Sequence, residues 1–192
     1  MLIVIALGGN ALLQKGEPLE AQYLNKNCSL AAKGISSVAA NHQVLIVHGN
    51  GPQVGLLALQ AEAYKEVARY PFDILCAESQ GMIGYQLQQA LHNQLQNRAT
   101  ISLVTQVIVE EEDPAFSAPT KPIGPFYSAE QADMLKKENN WILQADRNMY
   151  RRVVPSPKPI KIVELELIKQ LLQTNTIAIA GGGGGILNAN KN

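Results

Sequence analysis

The stretch VLIVHGNGPQVG, residues 44–55, carries an apolar run into His48 and then into Gly49-Asn50-Gly51-Pro52. An apolar run without period-two alternation is the pattern of a strand covered on both faces in a parallel sheet. Pro52 suits the first position of a helix, where its missing N–H costs nothing. The same grammar recurs in LIVIALGGNA (2–11) and TIAIAGGGGG (176–185). Three strands that each end in glycine predict an α/β fold with an open, mainly parallel sheet wound by right-handed crossovers.

Helical patterns fill the intervals. From about Pro18 to Asn41, Leu24, Cys28, Ala31, Ile35 and Val38 fall on one helix face. After Pro52, QVGLLALQAEAYKEVARY continues with helix formers. A third helix is predicted from about Asp73 to Gln96, with Ile83, Leu87, Leu91 and Leu95 as an i, i+4 stripe. ISLVTQVIV (101–109) reads as one strand, and EEEDPAFSAPTKPIGPFY (110–127), with four prolines, as a long loop of the kind that carries function. Ser128 with Gln131 forms a capping box for the helix AEQADMLKKENN. WILQADRNMYRRVVP (141–155) reads as two strands around a polar turn, and KIVELELIKQLLQTN (161–175) as the final helix.

Composition narrows the class of partner. The 192 residues are 46% hydrophobic and 17% charged, enough for a core and without the signature of disorder. Sixteen basic residues balance sixteen acidic ones, which removes the electrostatic footprint of a nucleic-acid or anionic-membrane binder and favours a small molecule or a protein as partner. Cys28 and Cys76 have no neighbours at metal-ligand spacing and read as reduced, buried thiols, which fits the cytoplasm. The opening MLIVIAL lacks a basic flank and runs into Gly8-Gly9, so it reads as a buried first strand rather than a signal peptide or a membrane span.

In an open parallel sheet, ligands bind beyond the carboxyl ends of the strands, where all three glycine junctions lie. Glycine lets backbone N–H groups approach an anion, and a following helix adds its positive end. Each junction could alone be a simple turn; three together point to phosphate. Asn10, Asn50 and Gln53 add side-chain amides that can donate to an oxygen. No Walker A lysine-serine and no G-x-G-x-x-G follows these strands, against P-loop and Rossmann readings. The cation must come from elsewhere. Lys121, stiffened by Pro122 and the nearby Pro119, is the best placed to neutralise a transferring phosphoryl group, its alternative being a solvated loop lysine.

Arg151 and Arg152 would point to opposite faces of a strand, so at most one faces a site. His48 reads as a near-core histidine, His42 and His92 as surface residues. Glu110–Asp113 reads as a solvated loop face, and no metal cage is encoded.

ALGGNALLQKGE (6–17), HGNGPQVG (48–55), AESQGMIGYQLQQAL (77–91) and PTKPIGPFY (119–127) together resemble carbamate kinase, within the amino acid kinase superfamily. The resemblance implies a three-layer αβα sandwich, usually dimeric, whose N-terminal lobe holds carbamate or carbamoyl phosphate and whose C-terminal lobe holds ATP or ADP with magnesium. It makes Gly8, Gly9 and Asn10, with Gly49, Asn50 and Gly51, the cradle of the phosphoryl group, and Lys121 its neutralising cation. Gly182 and Gly183 would line the same cleft. Carbamate kinases are longer and continue after the glycine run into a lysine-aspartate motif, nucleotide-binding strands and another lysine, where this sequence has ILNANKN. The expectation is a single N-terminal lobe, residues 1–192, with little turnover alone; the alternative is a non-catalytic module for a small anion or a partner.

Overall fold

The computed structural model describes residues 1–182 and 186–189. In chain order the elements are β1 (Leu2–Leu7), α1 (Gly9–Leu12), α2 (Ala21–Ala39), β2 (Gln43–His48), α3 (Gly51–Ala63) and α4 (Phe72–Gln94). They continue with β3 (Thr100–Ser102), β4 (Gln106–Val109), β5 (Lys121–Tyr127), α5 (Ala129–Asn139), β6 (Leu143–Asp146) and β7 (Met149–Val154). The last are β8 (Lys161–Ile162), α6 (Leu165–Gln173), β9 (Ile177–Ala180) and β10 (Ile186–Ala189).

The main sheet is parallel throughout, in the order β1-β2-β9-β3. On one face α2 and α4 bury Leu24, Cys28, Ile35, Ile83, Leu87 and Leu91 against Val44, Ile46, Ile177 and Ile179. On the other, α6 lays Ile168 and Leu172 on Ala178 and Ala180. Helix, sheet and helix make the three layers. The predicted stripe on α4 lies in this core, with Leu95 packed against it just past the helix end. On α2 the buried face shifts slightly, so that Ala32 and Ala39 are buried and Ala31 and Val38 only partly.

Four expectations need correction. β1 is an edge strand, and Leu2 and Val4 are 47% and 57% exposed, so one of its faces is uncovered. The helix after Pro52 stops at Ala63 instead of running towards Tyr70, and Tyr64, Val67 and Tyr70 are all exposed, so a longer helix would gain little burial from them. ISLVTQVIV is two strands in two sheets. After Ser102 the Thr105 N–H leaves the ladder to donate to the Gln80 side chain, and the chain restarts as β4 between β8 and β10.

The fourth correction concerns the proline-rich segment 110–127, whose last seven residues are strand β5. It is the edge of a small antiparallel sheet, β5-β7-β6, so its prolines meet a ladder on one side only. The pairing with β7 slips between Ile123 and Tyr127, where Gly124 takes φ +67°. Trp141 and Leu143 pack with Ala132 of α5 beneath this sheet. The capping box is formed, with the Ser128 hydroxyl accepting from the Gln131 N–H and the Gln131 side chain accepting from the Ser128 N–H.

Candidate functional site

The parallel register aligns the three glycine junctions. Leu7 pairs with His48 and Val47 with Ala180, so Gly8, Gly49 and Gly181 follow their strands at nearly the same level. The Gly49 N–H donates to the Leu7 carbonyl at 3.0 Å. A Cβ on Gly49 would stand 3.8 Å from the Gly9 nitrogen, and one on Gly9 would stand 4.0 Å from Pro52 Cδ. The first two loops therefore form one backbone surface.

A cradle must also be open, and here the glycines differ. A Cβ on Gly8 or Gly51 would meet nothing within 4 Å. One on Gly182 would stand 2.2 Å from Gln80 Cγ, so this glycine is required by packing. Gln80 is buried; it donates to the Thr105 carbonyl at 3.2 Å and accepts from the Thr105 N–H at 2.8 Å. The Thr105 hydroxyl accepts in turn from the Gly181 N–H at 3.1 Å. α4 thereby fastens the third loop to the start of β4. Gly183 lies outside the described residues.

The side-chain amides separate. Asn10 is exposed on α1. Asn50 is buried, donating to Ser79 Oγ at 2.8 Å, while the Ser79 hydroxyl donates to the Cys76 carbonyl at 2.7 Å. One of its N–H groups is thus committed to holding the loop on α4. Gln53 is buried and lines a cavity of about 310 Å³ with Leu13, Leu24, Leu56 and Met82; its Oε1 has no hydrogen-bond partner among the described residues.

Lys121 opens β5, paired with Val154. Its positive charge and the Asn50 side chain both act on the Cys76 thiol. Burial raises the Cys76 pKa, and Asn50 and then Lys121 pull it partly back. The loop at residues 49–51 and a lysine some seventy residues later therefore converge on one thiol. A second contact fixes β5 on α3: a Cβ on Gly55 would lie 2.4 Å from Gly124 Cα, so the two backbones touch where only glycine fits.

His48 is buried, and burial lowers its pKa, a charged imidazole there being poorly solvated. His92 is exposed, whereas His42 is half-buried with its Nδ1 unpartnered among the described residues. Arg151 and Arg152 do point apart. Arg151 donates to the Gly124 carbonyl at 2.9 Å and lies over Phe126; Arg152 lies over Trp141 and Phe72. Asp113 accepts from the N–H groups of Ala115 and Lys158, so it ties its loop together.

Sequence reading missed Ser79, Gln80 and Thr105, which hold the glycine loops in place. The only signal for Ser79 and Gln80 was the match at residues 77–91, and Thr105 had none; nothing local marks a helical glutamine as a partner for a distant loop. The donors at the first two glycine loops are backbone N–H groups with side-chain amides beside them, a set suited to an anion. Among the described residues no group of three His, Cys, Asp or Glu side chains is gathered that could hold a metal ion. No helix among them is long and apolar enough to cross a membrane.

Comparison with known proteins agrees with this fold. The chain is 52% identical to the carbamate kinase of Haemophilus influenzae and 50% to that of Rhizobium meliloti, each over 97% of its length. It covers 60% and 58% of those proteins, so it spans about three fifths of the curated relatives it matches. The structure of carbamate kinase from Giardia lamblia bound to citric acid superposes with a TM-score of 0.93 at 40% identity, over all of this chain and 64% of that one. The same enzyme bound to AMP-PNP gives 0.85 at 41% identity, over all of this chain and 63% of that one. The profile described as the amino acid kinase family matches residues 1–191, and this chain belongs to that family.

Proposed function

We propose that residues 1–192 are the carbamate- and carbamoyl-phosphate-holding lobe of a carbamate kinase, which transfers a phosphoryl group reversibly between ATP and carbamate. The observation that carries the reading is the parallel register that brings the three glycine junctions to one level, with open space at Gly8 and Gly51. Backbone N–H groups of Gly8, Gly9 and Gly51 would take phosphoryl oxygens without bringing charge, with Asn10 at the open side and Gly49, its own N–H held by the Leu7 carbonyl, shaping the second loop. Lys121 would neutralise charge that grows on the oxygens during transfer, where electrostatic stabilisation is the main demand. Gly182, and in the sequence Gly183, would close the third side. Gln53 acts from behind, on the helical face. ATP or ADP, with magnesium carried on its phosphates, would enter from the part of the relatives that this chain does not cover. The same reading makes the protein a cytoplasmic homodimer.

Turnover by these 192 residues alone should be slight. Loss of one well-placed transition-state donor costs roughly 3–4 kcal/mol, and the resemblance calls for further cationic groups and a nucleotide pocket beyond this sequence. Two measurements on the purified chain test the proposal: calorimetry with carbamoyl phosphate, and ATP formation from ADP and carbamoyl phosphate. Expected are saturable binding that Lys121→Ala weakens and turnover near background. Absence of binding would remove the site. Turnover at the rate of an ordinary kinase would show that the uncovered portion of the relatives is dispensable. Binding indifferent to Lys121→Ala would instead favour a non-catalytic anion-binding module.

A further inference from the structure

A second cluster of cationic and aromatic side chains lies at the other end of α3. The glycine cleft sits at Gly51, the start of the helix; Ala58, Ala61 and Glu62 from its far half line a cavity of about 340 Å³. At about 1.5 Å of rise per residue, Glu62 lies roughly 16 Å along the axis from Gly51. The opposite wall belongs to the small sheet, through Trp141 and Arg152, and Phe72 of α4 closes the side.

Two observations mark this cavity. The guanidinium of Arg152 lies 4.2 Å from the Trp141 ring centre and 5.9 Å from that of Phe72, with the Glu62 carboxylate acting on its charge and Arg69 opposing it. A guanidinium on an indole face keeps its edge free to meet a carboxylate with two parallel hydrogen bonds. Arg69 stands in the same lining, paired with Glu62 at 2.8 Å and donating to Asn139 Oδ1 at 3.2 Å. The ionisable lining groups besides tyrosine are Glu62, Arg69 and Arg152, so two positive charges against one negative leave one positive charge. Tyr70 and Phe116, 63% and 37% exposed, add aromatic walls at the rim.

We propose that this cavity binds a small aromatic carboxylate, its carboxylate on Arg152 and Arg69 and its ring against the aromatic walls. The volume falls in the range of small-molecule sites, about 300–1,000 Å³. The bound acid would bridge α3 and α4 to β7, the strand whose pairing with β5 sets the position of Lys121. The site lies beyond the phosphoryl cleft and needs no part of the kinase reading.

Trp141 is the only tryptophan, so its fluorescence reports on this cavity directly. The experiment titrates the purified chain with benzoate, with acetate as the ringless acid and benzyl alcohol as the uncharged ring, and reads emission excited in the indole band together with thermal stability. Expected is a saturable change and a rise in melting temperature with benzoate, and binding roughly tenfold weaker or worse for the other two. Arg152→Met should abolish the response. Because that change also disturbs the indole, Arg69→Gln, which leaves the Trp141 contacts intact, should weaken benzoate by a similar tenfold. Gly51→Ala should leave it unchanged. No saturable response, a response kept in Arg69→Gln, or one lost in Gly51→Ala would overturn the proposal; in the first two cases Arg152 is a staple between the small sheet and α4, and in the third benzoate occupies the glycine cleft.

Discussion

A Cβ built on Gly51 would meet nothing within 4 Å, whereas one built on Gly55, a single turn further along α3, would lie 2.4 Å from Gly124 Cα. Gly8 shares the openness of Gly51. Gly182 shares the closure of Gly55, standing 2.2 Å from Gln80 by the same construction. Identical residues within one motif, GNGPQVG, therefore answer to different demands. The seam glycines let two parts of the fold touch, and replacing them must push backbone or buried side chains apart. The cleft glycines are not needed for packing, so the space above them is available to a ligand. Stability and binding should thus respond to different glycines.

The largest effect is expected at the seam. Gly55→Ala should cost about 3 kcal/mol or more, because the clash is with backbone that no rotamer change relieves, and the gain in helix propensity of about 1 kcal/mol does not offset it. Urea unfolding measures this; a variant as stable as the parent would break the distinction between seam and cleft. Next, Gly182→Ala should cost about 2 kcal/mol in the parent but much less in a Gln80→Ala background, where the obstructing side chain is gone. A double-mutant cycle that closes with strict additivity would show that Gln80 is not what Gly182 avoids.

A smaller effect concerns the two thiols. Burial raises the Cys28 pKa from 9.0 to about 12, and nothing opposes it, whereas at Cys76 Asn50 and Lys121 act against burial. A folded pKa above the unfolded one means that the native state holds the proton while the unfolded chain releases it. The stabilisation is therefore complete below pH 9 and fades as pH rises towards 12, by about 1 kcal/mol at pH 10. Cys28→Ala should flatten that alkaline limb in unfolding measured across pH. Lys121→Ala should slow alkylation of Cys76 and leave Cys28 unchanged; equal effects on both thiols would separate Lys121 from the Asn50 loop. The smallest change in stability belongs to Gly51→Ala, within about 0.5 kcal/mol of the parent. Its mark should be on carbamoyl-phosphate affinity, and an unaltered affinity would take the second loop out of the proposed cradle.

Much of this was legible along the chain. The parallel sheet was readable because β2 and β9 are apolar runs ending in glycine, the pattern of strands covered on both faces. The stripe on α4 and the capping box at Ser128 were readable because their partners lie within a few residues. β1 misled, since Leu2 and Val4 carry the residue types of a covered strand but lie at an edge with one open face. β5 was hidden because two prolines within the strand mimic a loop, and only pairing with β7, from a segment some thirty residues later, makes it a strand.

By itself the sequence determined the parallel sheet with its helical cover and the three glycine junctions at one end of it, because each rests on a local pattern of burial or backbone freedom, while the three layers and the reading of Lys121 as the candidate cation rather than a solvated loop lysine came with the family resemblance. Only the tertiary structure decided which glycines are open and which are pressed, that Asn50 is held by Ser79, that Lys121 reaches Cys76, and that Arg151 and Arg152 serve different surroundings. Those outcomes depend on distances between segments far apart in the chain, and such distances are set by how the layers pack rather than by any residue's own preference.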